Sequence, residues 1–162
     1  MNYCPQCANP LQEALIDGGV KPACPDLDCG FVFWNNPTPV VAMIVELPEG
    51  VVLAHNVSWQ HRFFSVITGF LEEGESPEVC ARRETKEELG LDTLNCSLIG
   101  AYGFDRQNQV IIAYHIEAAG KIVLNEELDE YKIVPVDQLK GWDMGTGLAI
   151  NDWVASRREQ ES

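Results

Sequence analysis

The sequence is poor in positive charge. Lysine and arginine together number 11 against 25 aspartates and glutamates, giving a formal net charge of −14. That balance argues against a general binder of nucleic acid or of anionic membranes, which would need a basic patch. Long apolar runs are also missing. Nowhere do about 18 apolar residues follow one another, so no membrane-spanning helix is expected. The opening Met1-Asn2-Tyr3-Cys4 has neither the basic nor the apolar segment of a secretion signal, so a cytoplasmic location is expected. No internal repeat or low-complexity segment is seen.

What is present suffices for a core. The chain has 162 residues, 46% of them hydrophobic, which fits one ordinary domain with room for a small appendage. The six cysteines fall into two groups. Cys4, Cys7, Cys24 and Cys29 crowd the first thirty residues, while Cys80 and Cys96 stand alone and suggest no chemistry. Without a secretion signal, the crowded set reads as metal ligands rather than disulfides. Residues 1–36 are therefore expected to form a zinc ribbon, with Cys4-Pro5-Gln6-Cys7 as one knuckle and Cys24 to Cys29 as the other. Between them, Leu11 to Ile16 and Val20 to Ala23 form a candidate hairpin turning at Asp17-Gly18-Gly19. So short a segment buries too little apolar surface to fold alone, and four thiolates around Zn²⁺ give a closed, structural site.

Phe31 to Trp34 reads as a strand, and Asn35-Asn36-Pro37-Thr38-Pro39 breaks it. This is the domain boundary, with residues 37–162 as the second domain. Val40 to Leu47 is a continuous apolar run with one late charge, Glu46, as in a buried strand, and Val51 to His55 returns from a turn. The loop from Asn56 to Arg62 carries Trp59, His61 and Arg62; such loops often line ligand sites, and Arg62 is a candidate phosphate contact. Leu94 to Phe104, Gln109 to Ala118, Lys121 to Leu124 and Tyr131 to Val134 read as strands, and Val136 to Leu139 as a short helix. A final amphipathic helix runs from Leu148 to Arg157, with Ala149, Ile150, Trp153 and Val154 on its apolar face and residues 158–162 frayed.

The stretch Gly69 to Leu91, GFLEEGESPEVCARRETKEELGL, organises the rest. A strand enters through Val66-Ile67-Thr68. Ser76 is an N-cap candidate, Pro77 fits the first helical position, and Gly90 fits the left-handed residue after the last turn. The helix between them carries Glu84, Glu87 and Glu88, whose spacing puts three carboxylates on one face. Like charges at that spacing repel, so solvent, the neighbouring Arg82, Arg83 and Lys86, or a bound hard cation must offset them. A solvated, glutamate-rich surface helix would also account for the helix taken alone.

The wider pattern resembles the Nudix box, G-x5-E-x7-R-E-U-x-E-E-x-G-U, where U is a bulky aliphatic residue. Gly69, Glu75, Arg83, Glu84, Glu87, Glu88, Gly90 and Leu91 fall in register, and Thr85 takes the place of the first aliphatic. The resemblance implies an α/β/α sandwich around a mixed sheet, with the box forming a loop, a helix and a loop. A zinc ribbon ahead of such a domain is similar to the arrangement in NADH pyrophosphatases. By this resemblance the protein hydrolyses the diphosphate of a nucleoside diphosphate linked to another group, of the NAD(H), ADP-ribose or FAD type, using Mg²⁺ or Mn²⁺. Glu84 and Glu88 match metal ligands, Glu87 either a further ligand or the general base, and the Thr68 carbonyl a metal-binding oxygen. Arg83 orients the carboxylates, with Glu75 as its partner. Glu130 is the candidate carboxylate from outside the box, with Glu127 competing for that role. Tyr102 and Phe104 keep an aromatic pair where NADH pyrophosphatases carry their proline-rich signature, whose prolines and serine are absent. Either could stack on a base, and Arg106 could hold a phosphate. A non-catalytic Nudix module and a zinc-ribbon adaptor for protein or RNA are the alternatives. The resemblance also implies a possible homodimer.

Overall fold

Strand alternation decides which residues of the second unit face which helix. The structure, a computed structural model, describes residues 1–160. Its chain forms two compact units, Met1–Asn36 and a second beginning at Pro37.

In the first unit, β1 (Gln12–Ile16) pairs antiparallel with β2 (Gly19–Ala23). Asp17 and Gly18 both have positive φ, as a two-residue hairpin turn of the primed type requires. Gly19 therefore belongs to the strand rather than to the turn. Phe31 to Trp34 does not form the expected strand. Val32 makes one isolated bridge to Ala23, and the Phe33 N–H donates to the Pro22 carbonyl.

In the second unit, β3 (Thr38–Leu47), β4 (Gly50–Asn56), β5 (Ile67–Phe70), β6 (Asp92–Phe104), β7 (Gln109–Ala119) and β8 (Leu128–Val134) build one mixed sheet. The order is β6-β7-β3-β4-β8, with β5 also on β3; β3 and β7 are parallel and the other pairs antiparallel. Val41, Met43 and Val45 of β3 turn to one face and pack with Cys80, Ala81 and Leu89 of α1 (Pro77–Leu89). Ala42 and Ile44 turn to the other and pack with Ala149, Ile150, Trp153 and Val154 of α2 (Thr146–Gln160). Helices on both faces of a mixed sheet make the expected α/β/α sandwich. The one charge in β3, Glu46, anchors α2: its Oε2 accepts from Arg157 Nη1 at 2.8 Å and lies 2.7 Å from His115 Nε2.

Two further expectations are corrected. Lys121 to Leu124 is irregular, because its backbone is used elsewhere: the Val123 and Asn125 N–H groups donate to the Leu89 and Glu88 carbonyls at the end of α1. The helix end is closed by this segment, so no ladder forms. Residues 158–160, expected to fray, continue α2; 161 and 162, the rest of that expectation, lie outside the described residues. Among the described residues, no helix is long and apolar enough to cross a membrane.

Candidate active site

The local sequence fixes α1 at both ends. The Ser76 hydroxyl accepts from the Val79 N–H, Pro77 opens the first turn, and Gly90 closes the last at φ 70°. Cys80, Ala81, Thr85, Glu88 and Leu89 form the buried stripe. Thr85 is tolerated where the box has an aliphatic residue because its hydroxyl donates to the Ala81 carbonyl at 2.7 Å, so no polar atom is buried unpaired. Glu88 is the exception on this stripe: a carboxylate only 5% exposed.

Arg83 gathers the acidic residues. Its Nε and Nη2 donate to the two carboxylate oxygens of Glu75, each at 2.9 Å. Nη1 donates to Glu84 at 2.8 Å and to Glu87 at 3.0 Å, and Nη2 also reaches the Phe70 carbonyl at 3.2 Å. This fork holds the Glu75 carboxyl down at about 2. Glu88 behaves oppositely. Burial, then the charges of Glu84 and Glu127, push it up to about 8. Glu84 is also raised, first by burial. Gly69 is required here, since a Cβ at that position would overlap the Glu84 side chain. The result is a partly buried cluster of carboxylates with one arginine as its internal cation. Its hard oxygen donors fit a divalent metal such as Mg²⁺ or Mn²⁺.

A cleft of about 930 Å³ adjoins the cluster. Thr68 borders it and also borders a narrow gap shared with Glu88. The cleft is rich in aromatic rings: Trp59, Phe63, Phe70, Phe104 and Trp142 line it. Phe63 and Trp142 meet edge to face with centroids 4.9 Å apart. Among the described lining residues there is no lysine or arginine.

The sequence-derived candidates divide accordingly. Glu84, Glu87, Glu88, Glu75 and Arg83 come together, and Thr68 and Phe104 reach the cleft. Tyr102 does not; its hydroxyl donates to Asp152 of α2 at 2.8 Å. Arg106 sits exposed on a 3-10 turn, Asp105–Gln107, and does not line the cleft, although its neighbour Gln107 does. Arg62 is drawn to Glu130, with Nη2 at 2.6 Å from both carboxylate oxygens. Glu130 in turn is not placed among the helix carboxylates. Ile133 packs on the α1 side and Val134 on the α2 side, so alternation along β8 sends Lys132 and Glu130 toward the α2 side. Glu127 is the outside carboxylate whose charge reaches Glu84 and Glu88. Sequence reading missed Phe63, Phe70 and Trp142 as cleft residues. Phe63 and Phe70 are exposed despite their size, while Trp142 is half-buried; no linear pattern reveals either. Cys80 is fully buried, and burial pushes its thiol up to about 12, which leaves it inert.

In the first unit, the Sγ atoms of Cys4, Cys7, Cys24 and Cys29 all lie within 4.8 Å of one another. Cys4 and Cys29 are 3.6 Å apart, and Cys7 and Cys24 3.4 Å. Four thiolates at tetrahedral zinc distances would stand about 3.8 Å apart, so the set fits Zn²⁺. Burial opposes ionisation of Cys4, yet the Gln6 and Cys7 N–H groups and the neighbouring thiols bring it down to about 7.

A mixed sheet between two helices, with a carboxylate-bearing helix beside an aromatic cleft, defines the class: an α/β protein with a candidate site beside the acidic face of its first helix. The NUDIX domain model matches residues 36–152, and the chain belongs to that family. It is similar to the NAD-capped RNA hydrolase NudC of Stutzerimonas stutzeri, with 27% identity over 139 residues, 85% of this chain and 49% of the relative. The NudC of Mycobacterium bovis is 33% identical over 114 residues, 70% of this chain and 36% of that protein. The chain thus spans about half or less of the length of these curated relatives. Among solved structures, a NUDIX hydrolase from Nitrosomonas europaea superposes with a TM-score of 0.80 at 20% identity, covering 98% of this chain and 93% of that one. An ADP-ribose pyrophosphatase from Streptococcus suis superposes at 0.60 with 15% identity, covering 76% and 93%. These likenesses show the fold.

Proposed function

We propose that the protein is a divalent-metal-dependent pyrophosphohydrolase that cleaves the diphosphate of a nucleoside diphosphate linked to a second group, of the NAD(H), ADP-ribose or FAD type. The observation that carries this reading is the junction at Thr68, where an aromatic cleft meets the Arg83-bound carboxylates. Aromatic rings accept a flat base, and the carboxylates lie beside the floor of the same cleft. Glu84, Glu88 and the Thr68 carbonyl would hold Mg²⁺ or Mn²⁺, with Glu127 as the carboxylate from outside the helix. When bound there, the cation would neutralise the charge of the diphosphate. Glu87, with 56% of its side chain exposed against 14% for Glu84, accepts the proton of the attacking water. The water oxygen bonds to phosphorus as the bridging P–O bond breaks, releasing two phosphomonoesters. Arg83 keeps Glu84 and Glu87 in place and takes no proton.

The relatives are named for NAD-capped RNA, which contains the same diphosphate. The net charge of −14 and the absence of lysine or arginine among the described lining residues favour a free small nucleotide here. The four cysteines hold a structural Zn²⁺, and the homodimer suggested by family resemblance is part of the same proposal, to be measured by light scattering. The deciding experiment is chromatographic product analysis with NADH, NAD, ADP-ribose and FAD, in Mg²⁺ and in chelator. AMP plus the matching second phosphate, lost in chelator, is expected. Absence of product from all four overturns the substrate class.

A further inference from the structure

Two rings of the aromatic cleft wall, Trp59 and Phe63, stand on the loop between β4 and β5. Residues 57–66 connect β4 to β5, and within them Val57, Trp59 and Phe63 are exposed by 53%, 39% and 46%. Side chains this exposed do not set the loop by packing alone. Polar contacts do so instead. The Ser58 N–H and hydroxyl donate to Asn56 Oδ1, and the Val57 N–H donates to the Glu127 carbonyl. These fix the first turn of the loop. The far end pairs with β4 through Ser65 and Ala54, and the stretch between, which carries Phe63, is held by His55 and by the Arg62 side chain on Glu130.

His55 lies at the end of β4 with its side chain 13% exposed. Its Nδ1 stands 2.6 Å from Asp129 Oδ1, and its Nε2 stands 3.3 Å from the His61 carbonyl oxygen. Both partners accept, so each ring nitrogen donates to its partner when it carries the proton. The His61 carbonyl also accepts from the Phe63 N–H at 2.8 Å. One face of the His55 ring environment is closed by Trp59, edge to face at 5.9 Å, and another by Phe64 at 6.0 Å. Trp59 then meets Phe63 at 5.7 Å, and Phe63 meets Trp142 at 4.9 Å. The contacts form a chain from β8 through His55 to the three rings of the cleft wall.

We propose that His55 is a positioning residue: it bridges Asp129 of β8 to the His61 carbonyl and so fixes Trp59, Phe63 and Trp142 as the wall on which the substrate base packs. This rests on the reading that the cleft takes the nucleotide. His55 touches no helix carboxylate, so it acts on how substrate is held and leaves the hydrolytic step alone. The Arg62–Glu130 pair is a second tie on the same loop, but an exposed one at 73% and 44%, so it contributes less.

The test uses the full chain with ¹⁵N-labelled tryptophan. Four indole N–H signals are expected, from Trp34, Trp59, Trp142 and Trp153, assigned by single Trp→Phe changes. His55→Phe keeps a ring but removes both donors. It should move the Trp59 and Trp142 signals and leave those of Trp34 and Trp153 in place. With whichever nucleotide of the panel is turned over, KM should rise about tenfold, the scale of one lost hydrogen-bonded restraint, while kcat is retained. Asp129→Ala, at a residue whose side chain is 54% exposed, removes the clamp from its other end and should repeat both effects should His55→Phe fail to fold. Unmoved indole signals overturn the proposal, as does a fall in kcat at constant KM. If none of the four nucleotides is cleaved, the indole shifts still decide the role of His55, and the failure belongs to the substrate class.

Discussion

Glu88→Gln should make the metal-free protein more stable while removing its activity. Glu88 is 5% exposed, and burial with the neighbouring charges of Glu84 and Glu127 raises its carboxyl from 4.5 to about 8. The sign follows from proton uptake. Below the unfolded value both states hold the proton, and Glu88 costs nothing. Between the two values the folded chain keeps a proton that the unfolded chain has released, so stability falls as pH rises. At about 1.4 kcal/mol per pH unit, the loss between 4.5 and neutrality is about 3 kcal/mol. It levels off above about 8. Glutamine keeps the shape and never ionises, so the variant escapes this penalty. In chelator near neutral pH it should melt roughly 6–10 °C higher than the parent, the shift expected of a chain this size. Near pH 4.5 the two should coincide. Turnover in Mg²⁺ should fall by at least two orders of magnitude, as removal of a charge-stabilising group does. The assay is thermal unfolding by circular dichroism across pH, with and without metal, beside kcat. Equal melting temperatures in chelator near neutral pH, or a gap that persists at pH 4.5, would refute the reasoning.

Gly69→Ala should displace the Glu84 side chain, because the new Cβ takes its place; kcat/KM should drop about 100-fold, the effect of a misplacement near 1 Å, with an unchanged circular dichroism spectrum. Arg83→Met leaves Glu75, whose side chain is 8% exposed, without its fork; stability near neutral pH should fall by about 2–4 kcal/mol in urea titration, partly recovered in the double change with Glu75→Gln. Cys7→Ser should lower bound zinc from one equivalent to near none by elemental analysis, and a parental zinc content would rule out the four-cysteine site.

Sequence alone determined those features that depend on neighbours a few residues apart. The cap at Ser76, Pro77 in the first turn, the left-handed Gly90 and the carboxylate spacing of Glu84, Glu87 and Glu88 are all local, and the structure realises each of them. So are the long strands β3, β6 and β7, whose apolar content is written along the chain. Tertiary structure decided what depends on residues far apart. Lys121 to Leu124 has strand-like residues, yet its N–H groups are taken by the end of α1. Tyr102 and Phe104 look equivalent two residues apart, but a hydrogen bond to Asp152, about fifty positions along, takes Tyr102 away from the cleft. Glu130 and Glu127 lie in one acidic run, but Glu130 sits within β8 opposite His55, whereas Glu127 precedes the strand, beyond the shift in the β4–β8 register. The wall of Trp59, Phe63 and Trp142 joins two segments some eighty residues apart. A sequence carries the period of an element and the chemistry of its ends; which side chains converge across elements is set by how the sheet pairs and what each backbone group finds to bond.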